Sequence, residues 1–170
     1  ADVISRHEPL RTIIRSEQGQ PVGYVRDFDA NLPLLAHTDL SDLPADKQAQ
    51  ALEQLIEQQS TQLFDLSQDL MLRASLLTLD INEHVLIIVM HHIAGDGVSM
   101  GVFCRDLAHA YQSRSRDEQP TWIPLPISYA DHAAWKRQWL EESGELQTQS
   151  KSWQSELDGI PELLTLPTDF

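Results

Sequence analysis

Val85 to Met90 is an unbroken apolar run that leads directly into His91, His92, Ile93, Ala94, Gly95, Asp96 and Gly97. A run of that length suits one buried strand and falls far short of the ~20 apolar residues that cross a bilayer. It is apolar on both faces, so it is expected to be a central strand covered on both sides. The constraint lies at its end. Paired histidines, an aspartate and two glycines stand where the buried strand must stop. They can form a metal site, an acid/base site or a packed polar turn.

The flanking chain narrows the choice. Val98, Phe103, Leu107 and Tyr111 recur at roughly helical spacing, so a helix starts soon after Gly97. Its N-terminus would add unpaired N–H groups and positive potential beside the turn. Glycines there let the backbone approach a ligand. His and Asp are good zinc or iron ligands. Yet adjacent strand-end residues point to opposite sides, so His91 and His92 should not converge on one ion. A third ligand is not evident, and no metal is expected. Ser99 lies outside any Gly-x-Ser-x-Gly turn. The nucleophile is therefore expected to belong to the substrate, with a neutral imidazole taking its proton in acyl transfer.

Elsewhere the elements read as hairpins with helices interspersed. Thr12–Ile14 and Val22–Phe28 flank the turn "SEQGQP", and "LRASLLTLD" and "HVLIIVM" flank "INE". "DANLPLLAHTDLSDLP" reads as a Pro-broken connector. The next helix is capped by Ser41 or Asp42, has Pro44 in its first turn, and buries Leu52, Leu55, Ile56 and Leu63. "SYADHAAWKRQWL" and "KSWQSEL" make two further helices beyond the Pro-rich "QPTWIPLP". The pattern is α/β, an α+β sandwich.

The 170 residues carry a formal charge of −14, which argues against a nucleic-acid binder and against docking on anionic membranes. The single cysteine, Cys104, excludes an internal disulfide and fits a reducing, cytoplasmic setting. Its apolar neighbours suggest a buried small hydrophobe. No secretory signal opens the chain, and Ala1 is not an initiator Met, so the natural N-terminus is expected upstream.

Met90–Ser99 closely resembles the His-His-x-x-x-Asp-Gly motif of the condensation domains of nonribosomal peptide synthetases. A shorter version occurs across the chloramphenicol-acetyltransferase superfamily. "RHEPLRT" (Arg6 to Thr12) and "YADHAAW" (Tyr129 to Trp135) resemble two further motifs of the condensation domains, in order and at familiar spacing. "LRASLL" and "ELLTLPTD" are also similar. The departures are His132 in place of Tyr or Phe, Val98 in place of Trp, and no Gly-Pro in "SQDLMLRA".

The resemblance implies a chloramphenicol-acetyltransferase-like lobe with a mixed, mostly antiparallel sheet and packed helices. Residues 1–170 would be the N-terminal lobe, without the family's first motif or the C-terminal lobe. His92 would be the active-site histidine and His91 its less exposed neighbour. Asp96 would point away from substrate and pair with Arg6. Gly97 would lie beside the reacting centre, and Arg11 would support the structure. Tyr129, Asp131 and Trp135 are expected to be structural. The implied reaction joins a donor acyl or peptidyl thioester to an acceptor aminoacyl thioester. Both substrates ride on phosphopantetheine arms of peptidyl carrier proteins, and the domain itself binds no cofactor. The site would lie in a tunnel between the two lobes, next to the other synthetase domains, and the 170 residues alone should be inactive.

Competing readings differ at single positions. A stand-alone coenzyme A acyltransferase would lack the Arg-His-Glu segment. Epimerisation domains usually lack the glycine matched by Gly97, and heterocyclisation domains replace the first histidine with Asp. Condensation-like domains that only recruit an oxygenase have lost the second histidine, which His92 retains.

Overall fold

The computed structural model describes residues 1–29, 34–161 and 163. Two compact units divide at Ile123 and Pro124. The first begins with a short helix, α1 (Asp2–Arg6), and a 3-10 turn over Glu8–Arg11. Then come the strands β1 (Thr12–Glu17) and β2 (Gln20–Val25). They form an antiparallel hairpin, closed by Gln18 at φ 50° and Gly19 at φ 81°. Two successive positive φ values match the right-handed twist of the strands, and glycine tolerates the second without strain.

β3 (Ala36–Asp39) follows, then α2 (Ala45–Thr61), β4 (Leu72–Asp80), β5 (Glu83–Met90) and α3 (Gly97–Arg114). The sheet order is β3-β4-β5, with β3 parallel and β5 antiparallel to β4. This is the expected mixed, mostly antiparallel sheet. Alternation along β4 and β5 sends successive side chains to opposite faces. Leu72, Ala74, Ile88 and Met90 pack with Val3, Ile4 and Leu10 against Phe103 and Ala110 of α3. Leu77, Val85, Ile87 and Val89 pack with Leu40 against Ala51, Leu52 and Leu55 of α2. Helices thus cover both faces.

The structure corrects several expectations. β5 is an edge strand among the described residues, and β4 lies between its neighbours. The run is apolar because α2 covers one of its faces and α1 with α3 the other, not because strands flank it. Part of the supposed connector is β3, and residues 30–33 of it lie outside the described residues. The N-cap of α2 is Pro44, without a side-chain cap, and Ser41 and Asp42 lie ahead of it, where the Ser41 N–H donates to Asp39 at 3.0 Å. Ile56 is 44% exposed and Leu63, 89% exposed, lies beyond the end of α2, so the helix meets the sheet through Ala51, Leu52 and Leu55. α3 buries Phe103, Asp106, Ala110 and Ser113, which leaves Val98 and Tyr111 in solvent and Cys104 exposed.

The second unit contains α4 (Tyr129–Glu142) and α5 (Glu145–Glu156). Ser128 and Asp131 form a reciprocal capping box at the start of α4. Asp131 therefore has the structural role expected of it, and hydrogen bonds from Ser128 hold its carboxyl below the usual range. Trp135 and Trp139 stack at 6.2 Å on an exposed face of the helix.

Candidate active site

The histidine segment leaves β5 as a tight turn. The His91 N–H donates to the carbonyl of Met71 at 3.0 Å, which extends the strand pairing by one step. The His91 carbonyl accepts the Ala94 N–H at 3.0 Å. Its ring joins in as well, since Nδ1 accepts the Ile93 N–H at 3.0 Å. Nδ1 therefore carries no proton. The ring meets Phe64 edge to face, with centroids 5.6 Å apart. His91 is half-buried, whereas His92 is exposed and its ring has no hydrogen-bond partner among the described residues. The His91 ring is thus held within the turn, while the His92 ring is open to solvent. No group of three or more His, Cys, Asp or Glu able to hold a metal ion occurs among the described residues.

Asp96 is the N-cap of α3. Its carboxylate accepts the Ser99 N–H at 2.9 Å and the Ser99 hydroxyl at 2.7 Å. The backbone bond, then the hydroxyl, hold its carboxyl below the usual range. Ser99 is thus committed to the cap. Gly97 is the first helical residue, and a Cβ there would meet nothing within 4 Å. At Gly95 a Cβ would lie 2.8 Å from Met90 Sδ and 3.1 Å from Ser99 Cβ. Gly95 is therefore needed for packing, whereas Gly97 borders open space.

The expected pairing of Arg6 with Asp96 is not formed. Arg6 Nε donates to Asp106 at 3.0 Å, and its Nη1 donates to the Ile123 carbonyl at 2.9 Å. The reason is the geometry of α3. Asp96 turns back onto its own helix start, while Asp106 sits on the buried face that packs against α1. His7 Nε2 also bonds Asp106, at 2.8 Å. Burial raises the Asp106 pKa, but the bonds from His7 and Arg6 outweigh it and the net direction is down. The Arg6 guanidinium lies 4.8 Å from the Trp122 ring centroid, and the His109 ring meets the same indole with centroids 5.0 Å apart. Arg11 donates to the Arg26 carbonyl at 2.5 Å and faces Glu8 at 3.9 Å. It fastens the 3-10 turn to the end of β2 and is not bonded to the histidine segment.

The structure thus brings His91, His92, Asp96 and Gly97 into one turn and leaves Arg6 and Arg11 as supports elsewhere. Asp106 and Phe64 carry no local signature that would single them out in the sequence, whereas Arg73 stands in the segment "LRASLL", which shows nothing of what it holds. Arg73 lies over the Phe64 ring at 3.8 Å.

The family model described as Condensation domain matches residues 1–170. One of the linear gramicidin synthase proteins of Brevibacillus parabrevis is 41% identical over 169 residues, covering 98% of this chain and 2% of that protein. Dimodular nonribosomal peptide synthase of Bacillus subtilis is 34% identical, covering 99% of this chain and 7% of that protein. Among solved structures, the X-domain from teicoplanin biosynthesis superposes with a TM-score of 0.80 at 35% identity. The epimerization domain from the third module of tyrocidine synthetase B gives 0.79 at 25%. Each structural match covers 99% of this chain and 36% of the other. The chain therefore spans a small part of its relatives, and it belongs to the condensation domain family.

Proposed function

We propose that this chain contributes the histidine side of a peptide-bond-forming site in a nonribosomal peptide synthetase, as the N-terminal lobe of a condensation domain. The observation that carries the proposal is the His92 ring, exposed and unpartnered among the described residues, on a turn pinned at His91 and capped at Asp96. The acceptor α-amine attacks the donor thioester carbonyl. A C–N bond forms, the C–S bond breaks, and the phosphopantetheine thiol leaves with the proton lost by the amine. His92 takes that proton or orients the amine. An α-amine titrates near pKa ~8, so much of it is already neutral and positioning contributes alongside proton removal. Gly97 leaves room beside the reacting carbon. His91, Asp96, Arg6 and Arg11 act through structure. Donor and acceptor carrier proteins are the partners, with both arms presented by them. The proposed setting is the cytoplasm, whose reducing conditions suit the free Cys104. No helix among the described residues is long and apolar enough to cross a membrane.

The test is His92→Ala in the parent synthetase, read by transfer between loaded carrier proteins. Loss of a general base or positioner should slow condensation about a hundredfold or more with an unchanged melting temperature. Near-normal condensation would overturn the reading. A wild-type domain that transfers nothing between loaded carrier proteins would favour recruitment instead, a second reading motivated by the similarity to an X-domain whose complex with OxyB has been solved.

A further inference from the structure

Three contacts converge on His91, and each constrains a different part of the turn. Its N–H ties the turn to Met71 and its carbonyl holds Ala94. The ring bond matters most. The N–H that His91 Nδ1 accepts belongs to Ile93, so it lies in the peptide that joins His92 to Ile93. The orientation of one imidazole therefore sets the backbone on the far side of the next. If the His91 ring rotates about its Cβ, that N–H loses its acceptor and the His92 peptide is free to turn.

The ring cannot hold itself. A half-buried imidazole with one hydrogen bond at one nitrogen needs packing on its side. Phe64 supplies it, edge to face, with an interplanar angle of 78° and centroids 5.6 Å apart. Phe64 follows the end of α2 in a segment without regular structure, so it needs an anchor of its own. Arg73 of β4 is that anchor. Its guanidinium lies 3.8 Å from the Phe64 ring centroid. Nη1 donates to the Gln62 carbonyl at 2.9 Å, and Nη2 donates to the Leu63 carbonyl at 2.7 Å. Asp69 pairs with the same Nη2 at 3.0 Å. The arginine thus grips both the two residues that precede Phe64 and the face of its ring. Such a planar, multi-donor clamp is a task for arginine rather than lysine. Phe64 lies outside the segments that resemble the family's motifs, and Arg73 stands within one of them, "LRASLL".

We infer that Phe64, clamped by Arg73, is a positioning residue for His92, acting through the ring of His91. This rests on the proposed role of His92 and deepens it. Phe64 touches no reacting atom, so its loss should misplace the histidine without removing a substrate contact. An aliphatic side chain of similar bulk fills the space but offers no aromatic face to either neighbour.

The experiment compares Phe64→Leu, Phe64→Tyr, Arg73→Lys and His92→Ala in the parent synthetase, by carrier-to-carrier condensation kinetics and thermal melting. Phe64→Leu should lower kcat about tenfold to a hundredfold with KM little changed, because a misplacement of about 1 Å costs that much. Phe64→Tyr should restore most of the rate, and Arg73→Lys should fall between. A Phe64→Leu variant that melts normally and keeps full kcat, while His92→Ala is inactive, overturns the inference and spares the function. Equal loss in Phe64→Leu and Phe64→Tyr also overturns it, since an aromatic face would then not matter. Should Phe64→Leu melt early, full kcat in Arg73→Lys overturns the clamp. Full activity of His92→Ala removes the functional reading itself.

Discussion

Asp96 opens α3 and Asp106 lies midway along it, and their carboxylates are held by different forces. Asp96 is exposed and bonds only within its own first turn. Asp106 is 6% exposed and shared by Arg6 and His7. Removing one partner of a buried pair leaves a charge without compensation and costs about 3–5 kcal/mol. Arg6→Ala should fall at or below the low end, because His7 remains. Asp106→Ala should cost about as much, and the double variant should cost clearly less than the sum. Asp96→Ala should cost less than either and add independently to Arg6→Ala. The Asp106 pKa is lowered in the folded state, so its contribution is present above the unfolded value of about 4 and is lost as pH falls through the folded one. Chemical denaturation at neutral pH and below pH 4 checks both claims. Simple additivity of Arg6 and Asp106 at neutral pH would break the assignment.

At the scale of elements, the turn between β5 and α3 carries two glycines with opposite requirements. Gly95→Ala forces Met90 Sδ and Ser99 Cβ to give way, and Ser99 is half of the α3 cap. About 1–3 kcal/mol of destabilisation is expected, as for other overpacked sites. Gly97→Ala meets nothing and should leave the melting temperature unchanged. Any loss of condensation in Gly97→Ala would then report on space that a substrate uses. A lowered melting temperature for Gly97→Ala, or none for Gly95→Ala, would contradict this assignment.

The same turn shows what is legible in a sequence. The β4–β5 hairpin and a helix beginning close to Gly97 follow from local pattern, because apolar period and turn chemistry act over a few residues. β3 escapes such a reading because Ala36–Asp39 is short and mostly exposed, so it carries no alternation. Arg6 takes an aspartate other than the expected one for a related reason. Its partner is a hundred residues away, and only the rotation of α3 about its axis decides which carboxylate faces α1. Cys104 has the neighbours of a buried residue, yet it sits outside the α3 face that makes that contact.

At the scale of the molecule, the first unit leaves apolar surface open. A groove of about 480 Å³ runs between α1, α3 and the sheet, lined by Leu76, Leu86, Ile88 and Leu107 among others. Leu86 is 45% exposed and Tyr111 74%. Patches of this kind mark interaction surfaces or ligand-binding grooves. The solved relatives are far longer, with 36% of each covered. A histidine open to water works in a high effective dielectric and cannot hold an amine in place. The isolated 170-residue chain is therefore expected not to condense carrier-bound substrates. Multiple turnovers by the monomer in the transfer assay would refute that expectation.

The contact between Arg6 and Asp106 also has a place in time. Strand pairs such as β4–β5 close loops of a few residues, whereas this contact must bring together groups a hundred positions apart. Closing so long a loop costs more chain entropy, so such a contact tends to form after the local ones. Interactions absent from the folding transition state act on the rate of unfolding rather than of folding. The clasp is then a brake on departure from the native state. It is expected to govern how long the first unit persists once formed, more than how quickly it forms, so Arg6→Ala should speed unfolding more than it slows refolding.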